Sequence, residues 1–82
     1  MNKNIVKNVI LQAIEKISNI RVTDENKSLF NFEWNISPMD IVYIINEIEI
    51  SLSMDVAKII ANSDYRILSV SNLTEAICAA EK

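Results

Sequence analysis

Apolar residues recur at three- and four-residue steps along the first part of the chain. Val6, Val9, Ile10, Ala13, Ile14 and Ile17 share one side of a helical projection, and Asn4, Asn8, Gln12, Glu15 and Asn19 share the other. The spacing predicts an amphipathic helix over 3–19. A second run, Ile41, Ile44, Ile45, Ile48 and Leu52, predicts another helix from Pro38 to about Leu52, weakened at its end by Ser51 and Ser53. Residues 20–35 (IRVTDENKSLFNFEWN) hold no period and are too long for a tight turn. They predict a structured loop in which Phe30, Phe32 or Trp34 closes the core.

Local chemistry sharpens the helix ends. The chain has one proline and no glycine. Ser37 suits an N-cap, where its hydroxyl accepts from exposed N–H groups of the first turn. Pro38 suits the first helical position, which needs no N–H, and Asp40 places a carboxylate at the third. The run SPMD therefore starts a helix. Towards the C-terminus, Asn72 followed by Glu75 reads as a second capping box, with Leu73, Ala76, Ile77 and Ala80 on the buried face of a last helix and Cys78 at its flank. In 53–70, Ser53 or Asp55 starts a short helix through Ile60, and Asp64 caps another that contains Ile67 and Leu68. The stretch IEISLSMDV at 48–56 alternates like a strand, but a strand without partners is marginal. The pattern adds up to an all-α four-helix bundle, one domain over 1–82, with a long loop between helices one and two.

One apolar set is left over. Met39, Tyr43 and Ile50, with Asn46 among them, repeat at four, seven and eleven residues and point away from the core stripe of the second helix. They either lie under the loop or a neighbouring helix, or form a partner-binding surface.

Composition narrows the chemistry. With 82 residues there is room for a single core, and no apolar run approaches the length of a membrane span. The start MNKNIVKN lacks the apolar block of a signal peptide, so a soluble cytoplasmic protein is expected. The absence of histidine removes the ordinary zinc set and the neutral-pH base, and a single cysteine forms no internal disulfide. No cation or histidine near Cys78 in sequence lowers its pKa, which favours a small packed residue over a reactive thiol. No glycine means no phosphate-cradling loop. A net charge of −3, with eight basic residues spread along the chain, speaks against nucleic acid and anionic lipid as ligands. The expectation is a non-enzyme, with no catalytic or metal residues, that meets basic or apolar protein partners.

The order of these parts resembles the acyl carrier proteins, four-helix modules that hold growing chains on a phosphopantetheine arm. Phe30, Glu33 and Trp34 resemble that family's Phe-x-x-Asp-Leu run in the loop. Ser37, Pro38, Met39 and Asp40 fall on its Asp-Ser-Leu-Asp motif, and IVYIINEIEISL follows as its second helix. The run from Leu52 to Val56 (LSMDV) is similar to its Phe-Asp-Ile-Glu-Ile exit, and SVSNLTEAI at 69–77 to the start of its last helix. About half a dozen residues around Ala57–Ser63 look inserted.

In this register Pro38 stands where the family's serine carries the arm, and Asn35 replaces the glycine before the motif. Proline has no hydroxyl, so no phosphodiester forms there. The resemblance then implies a carrier fold without the cofactor. A register shifted by one residue makes Ser37 the attachment point for phosphopantetheine and restores an acyl or peptidyl carrier. Tyr43 and Ile50 occupy positions where the family commonly has glutamates, which exchanges long-range steering for desolvation at the contact. The expected partner-binding residues are Met39, Asp40, Tyr43, Asn46, Glu47 and Ile50. The overall likeness extends to the acyl carrier-related proteins of bacterial peptide-maturation systems, which implies an adaptor for a peptide-modifying or other biosynthetic enzyme, monomeric or weakly dimeric. The other reading is a plain helical dimerisation domain.

Overall fold

A computed structural model describes residues 2–29, 34–61 and 68–80. The described residues form four helices: α1 (Lys3–Ser18), α2 (Pro38–Leu52), α3 (Val56–Ala61) and α4 (Val70–Ala80). α1 packs on α2 and α4, and α3 bridges α2 and α4 at the remaining side. The all-α bundle with its long 19–37 loop matches the sequence pattern.

Each helix begins on a side-chain acceptor. The Asn2 side chain takes the N–H of Asn4 at 2.7 Å, and Ser37 Oγ takes that of Asp40 at 3.1 Å. Asp55 Oδ1 accepts from Lys58 N at 3.0 Å, so the short helix starts on Asp55. Without glycine, the left-handed turns fall to other residues: Asn19 and Ser53 close α1 and α2 with φ of 60° and 54°.

α4 corrects the sequence reading. It starts before Asn72, capped by Ser69, whose Oγ accepts from Asn72 N at 3.1 Å and whose carbonyl accepts from Leu73 N at 2.9 Å. The reason lies in packing. Val70, Leu73, Thr74 and Ile77 form the buried stripe, so Val70 must already be helical. Ala76 is only half-buried and Ala80 is exposed, against expectation. The buried Thr74 hydroxyl is satisfied by donating to Val70 O at 2.7 Å. Glu75 is no capping residue; it pairs with Lys3 of α1 at 2.7 Å.

The strand alternative for 48–56 fails as well. Ile48 to Leu52 is the end of α2, Ser53 turns the chain, and Val56 starts α3. A helix placed on Asp64 through Ile67 lies outside the described residues, and Leu68 is buried beyond it. The extra residues expected around Ala57–Ser63 begin inside α3, and the rest lie outside the described residues.

The core joins Val6, Ile10, Ile14, Leu29, Ile44, Ile48, Val56, Leu73 and Ile77. The loop reaches it through Leu29, which is fully buried and which the sequence pattern did not single out. Two backbone bonds fasten the loop to the start of α4, Leu29 N to Leu68 O and Ser71 N to Glu25 O, both 2.8 Å. An ion pair from Lys7 to Glu25 at 2.6 Å ties it to α1. Phe30 and Phe32 lie outside the described residues. Trp34 is half-buried beneath the Lys27 ammonium, which sits 5.4 Å from its ring centroid. Among the described residues no helix is long and apolar enough to cross a membrane.

Candidate interaction surface on helix α2

α2 has three faces, set by the advance of about 100° per residue. The inner face is Ile41, Ile44 and Ile48, all buried, with Ile45 and Leu52 half-buried beside it. This is the stripe read from the sequence. The outer face is the second apolar set, and it is uncovered. Met39 is 61%, Tyr43 51% and Ile50 67% exposed, and Asn46 stands exposed between them. Among the described residues neither loop nor helix shields them.

Val42, 60% exposed, belongs to the same surface and was missed by the sequence reading. The signal was present: Val42 lies three residues after Met39 and four before Asn46, the spacing of neighbours on a helix surface. With Tyr43, Ile45, Asn46, Glu49 and Ala57 it lines a shallow, largely apolar groove of about 330 Å³ between α2 and the start of α3. Glu49 shapes that wall. Its Oε2 accepts from Ala57 N at 3.1 Å, a carboxylate on the first turn of α3.

The acidic residues of the surface divide between its edges. Asp40 and Glu47 occupy the edge that faces α1, and Glu49 occupies the edge that faces α3. Glu47 Oε1 is held by Lys16 Nζ at 2.9 Å beside a pocket of about 180 Å³ that includes Gln12 and Ser51, so its charge is partly answered within the molecule. Asp40 is half-buried at the third helical position.

Ser37 sits exposed at the mouth of α2, with Oγ engaged as the cap, and Pro38 occupies the first helical position. Asn35 adopts a left-handed backbone with φ 53° two residues before the cap. That is the conformation for which glycine is favoured, and asparagine tolerates it. Among the described residues no group of three or more His, Cys, Asp or Glu is placed to hold a metal ion. Cys78 is half-buried against the core. No family model matches the chain, and no curated protein or solved structure matches it.

Proposed function

We propose that this protein is a non-enzymatic, acyl carrier-like adaptor that binds a protein partner through the outer face of α2. One observation carries the reading: four large apolar side chains, Met39, Val42, Tyr43 and Ile50, stand more than half exposed on a helix whose opposite face fills the core. Contiguous exposed apolar surface marks contacts, because it lowers its free energy only when something covers it. The acyl carrier-like part of the proposal is supported by the order of parts: a long first helix, a long loop, a second helix opened by SPMD, a short third helix and a capped last one. In the family-like register the arm-bearing position is Pro38, the first residue of α2, which has no hydroxyl. The adaptor works in the cytoplasm beside a peptide-modifying or other biosynthetic enzyme.

Two measurements test this. Capture of the partner by the wild-type chain should be abolished by Tyr43→Glu with Ile50→Glu, while the helical circular dichroism is retained; unchanged capture refutes the surface. Intact-mass spectrometry after co-expression with a broad-specificity phosphopantetheinyl transferase should show no added arm. A stoichiometric adduct on Ser37 makes the chain a working carrier and refutes the adaptor.

A further inference from the structure

Among the described residues five large apolar side chains stand more than half exposed, and four of them, Met39, Val42, Tyr43 and Ile50, share one helix. The fifth is Ile5 on α1. On α2 the positions Met39, Tyr43, Asn46 and Ile50 follow one another at steps of four, three and four residues. That is the spacing of a seam along which two helices interlock, knob into hole. Its ends are apolar, and its one amide lies inside.

We infer that this seam pairs with a second copy of the chain in a reversible, antiparallel two-fold dimer. Resting on the adaptor reading, the dimer covers the face until a partner displaces it. A two-fold axis crossing α2 between Ile44 and Ile45 sets Met39 of each copy against Ile50 of the other, and Tyr43 against Asn46. Apolar ends then meet apolar ends. In the two middle layers the phenol hydroxyl and the amide each supply a donor and an acceptor to the other, so the polar residue is answered within the seam. A slip along the seam sets Asn46 against Ile50 and leaves Met39 unmatched. Antiparallel pairing also opposes the two helix macrodipoles, which a parallel pair would align.

The charges beside the seam permit self-pairing, because two of its three carboxylates are already engaged. Glu47 Oε1 is held by Lys16 Nζ at 2.9 Å, and Glu49 Oε2 accepts from Ala57 N at 3.1 Å. In the antiparallel register Asp40 comes beside Glu47 of the other copy, where the largely exposed Lys16 ammonium answers both. Area sets how long the pair lasts. The four apolar side chains expose roughly 450–500 Å² in each copy, so pairing removes about 1,000 Å² in all, the lower edge of specific interfaces. Permanent dimers bury about 2,000 Å² or more. This one therefore forms at micromolar concentration or above and gives up its face to a better-fitting partner.

The test needs only the pure full chain. Sedimentation velocity between about 5 and 500 µM should show the mean sedimentation coefficient rising from monomer towards dimer. Tyr43→Ser should weaken the dimer at least about tenfold with the helical circular dichroism retained, whereas Ile5→Ser should leave it unchanged. Cross-linking reads the register. With Cys78→Ala removing the native thiol, chains carrying Met39→Cys and chains carrying Ile50→Cys are oxidised separately and as an equal mixture. Intact mass should find the mixed disulfide in the mixture and little dimer from either chain alone, because a disulfide forms only between closely opposed positions. A monomer at every concentration, a dimer indifferent to Tyr43→Ser or lost with Ile5→Ser, or disulfides that join like chains each overturns the inference. A monomer whose capture of a partner still needs Tyr43 and Ile50 overturns the dimer and leaves the adaptor standing. A dimer of the stated register whose partner capture is indifferent to those residues supports the pairing and removes the adaptor.

Discussion

Ser37 and Ser69 perform one task in two environments, which makes them a controlled pair. Each hydroxyl oxygen accepts an N–H three residues on at 3.1 Å. Ser37 is exposed, whereas Ser69 is 1% exposed beneath the loop that crosses to α4. Removing an exposed cap costs about 0.5–1 kcal/mol, because water takes over the N–H. Removing the cap on the buried Ser69 also strands a donor in a part-buried bond that water replaces less readily, and the loss rises to about 2 kcal/mol. A chain of this length is stable by about 4–12 kcal/mol, so the buried substitution takes a large share. At about 4–8 °C per kcal/mol, Ser69→Ala should lower Tm by about 8–16 °C and Ser37→Ala by about 2–8 °C. Urea unfolding followed by far-ultraviolet circular dichroism, with an unchanged m-value, reads the difference directly.

Asn72→Ala is the decisive companion. If Asn72 were the cap, its loss would match or exceed that of Ser69→Ala. With Ser69 as the cap, Asn72 lies inside the first turn with an exposed side chain, and the Ser69 variant must be the worse of the two. Equal losses at Ser37 and Ser69, or a greater loss at Asn72, refute the argument from burial.

Two further predictions concern the turns and the termini. Ser53 closes α2 at φ 54°, where a side chain is penalised, so Ser53→Gly should stabilise by about 0.5–1 kcal/mol. Asn19→Gly should gain less, because asparagine already tolerates φ of 60°. Thermal melts rank the two, and a loss on Ser53→Gly contradicts the assigned turn. Lys3 is held above the usual lysine value by its hydrogen bond to, and attraction for, Glu75. A pKa raised on folding gives stability that is full below the unfolded pKa near 10.5 and is lost as pH rises through the higher folded value. Lys3→Met should therefore flatten the alkaline fall in stability, an effect that salt also reduces because the pair is exposed; an unchanged alkaline slope removes the link between the two ends of the chain.

What was legible in the sequence follows from what each signal encodes. Caps with an unmistakable partner were readable, and SPMD is the clearest because proline fits few other places in a helix. Asn72 and Glu75 matched the same pattern and misled, since a capping box is a local motif and the choice between Ser69 and Asn72 is made by Val70, which the core requires. The alternation in IEISLSMDV is real: Leu52, Met54 and Val56 do turn inwards while Ser53 and Asp55 face water. It arises from a helix end, a left-handed residue and a new N-cap. Leu29 was invisible as a core residue because its burial depends on the two backbone bonds that pin the loop to α4.

The outer face of α2 was visible as a pattern but its exposure was not, because a helical projection gives directions and no neighbours. The fold supplies the neighbours, and with them a constraint. The buried isoleucines fix how α2 is rolled, since turning Tyr43 inwards would bring Ile44 or Ile48 into water at about 1.5–3 kcal/mol each. Left-handed turns at Asn35 and Ser53 bound the segment at both ends, and Glu49 pins α3 beside it. On the proposed reading, the surface is therefore already in place before any partner arrives. Ordering on contact falls mainly on a few side chains, with Met39 as the flexible one, so affinity there depends on the fit of the partner more than on rearrangement of this chain.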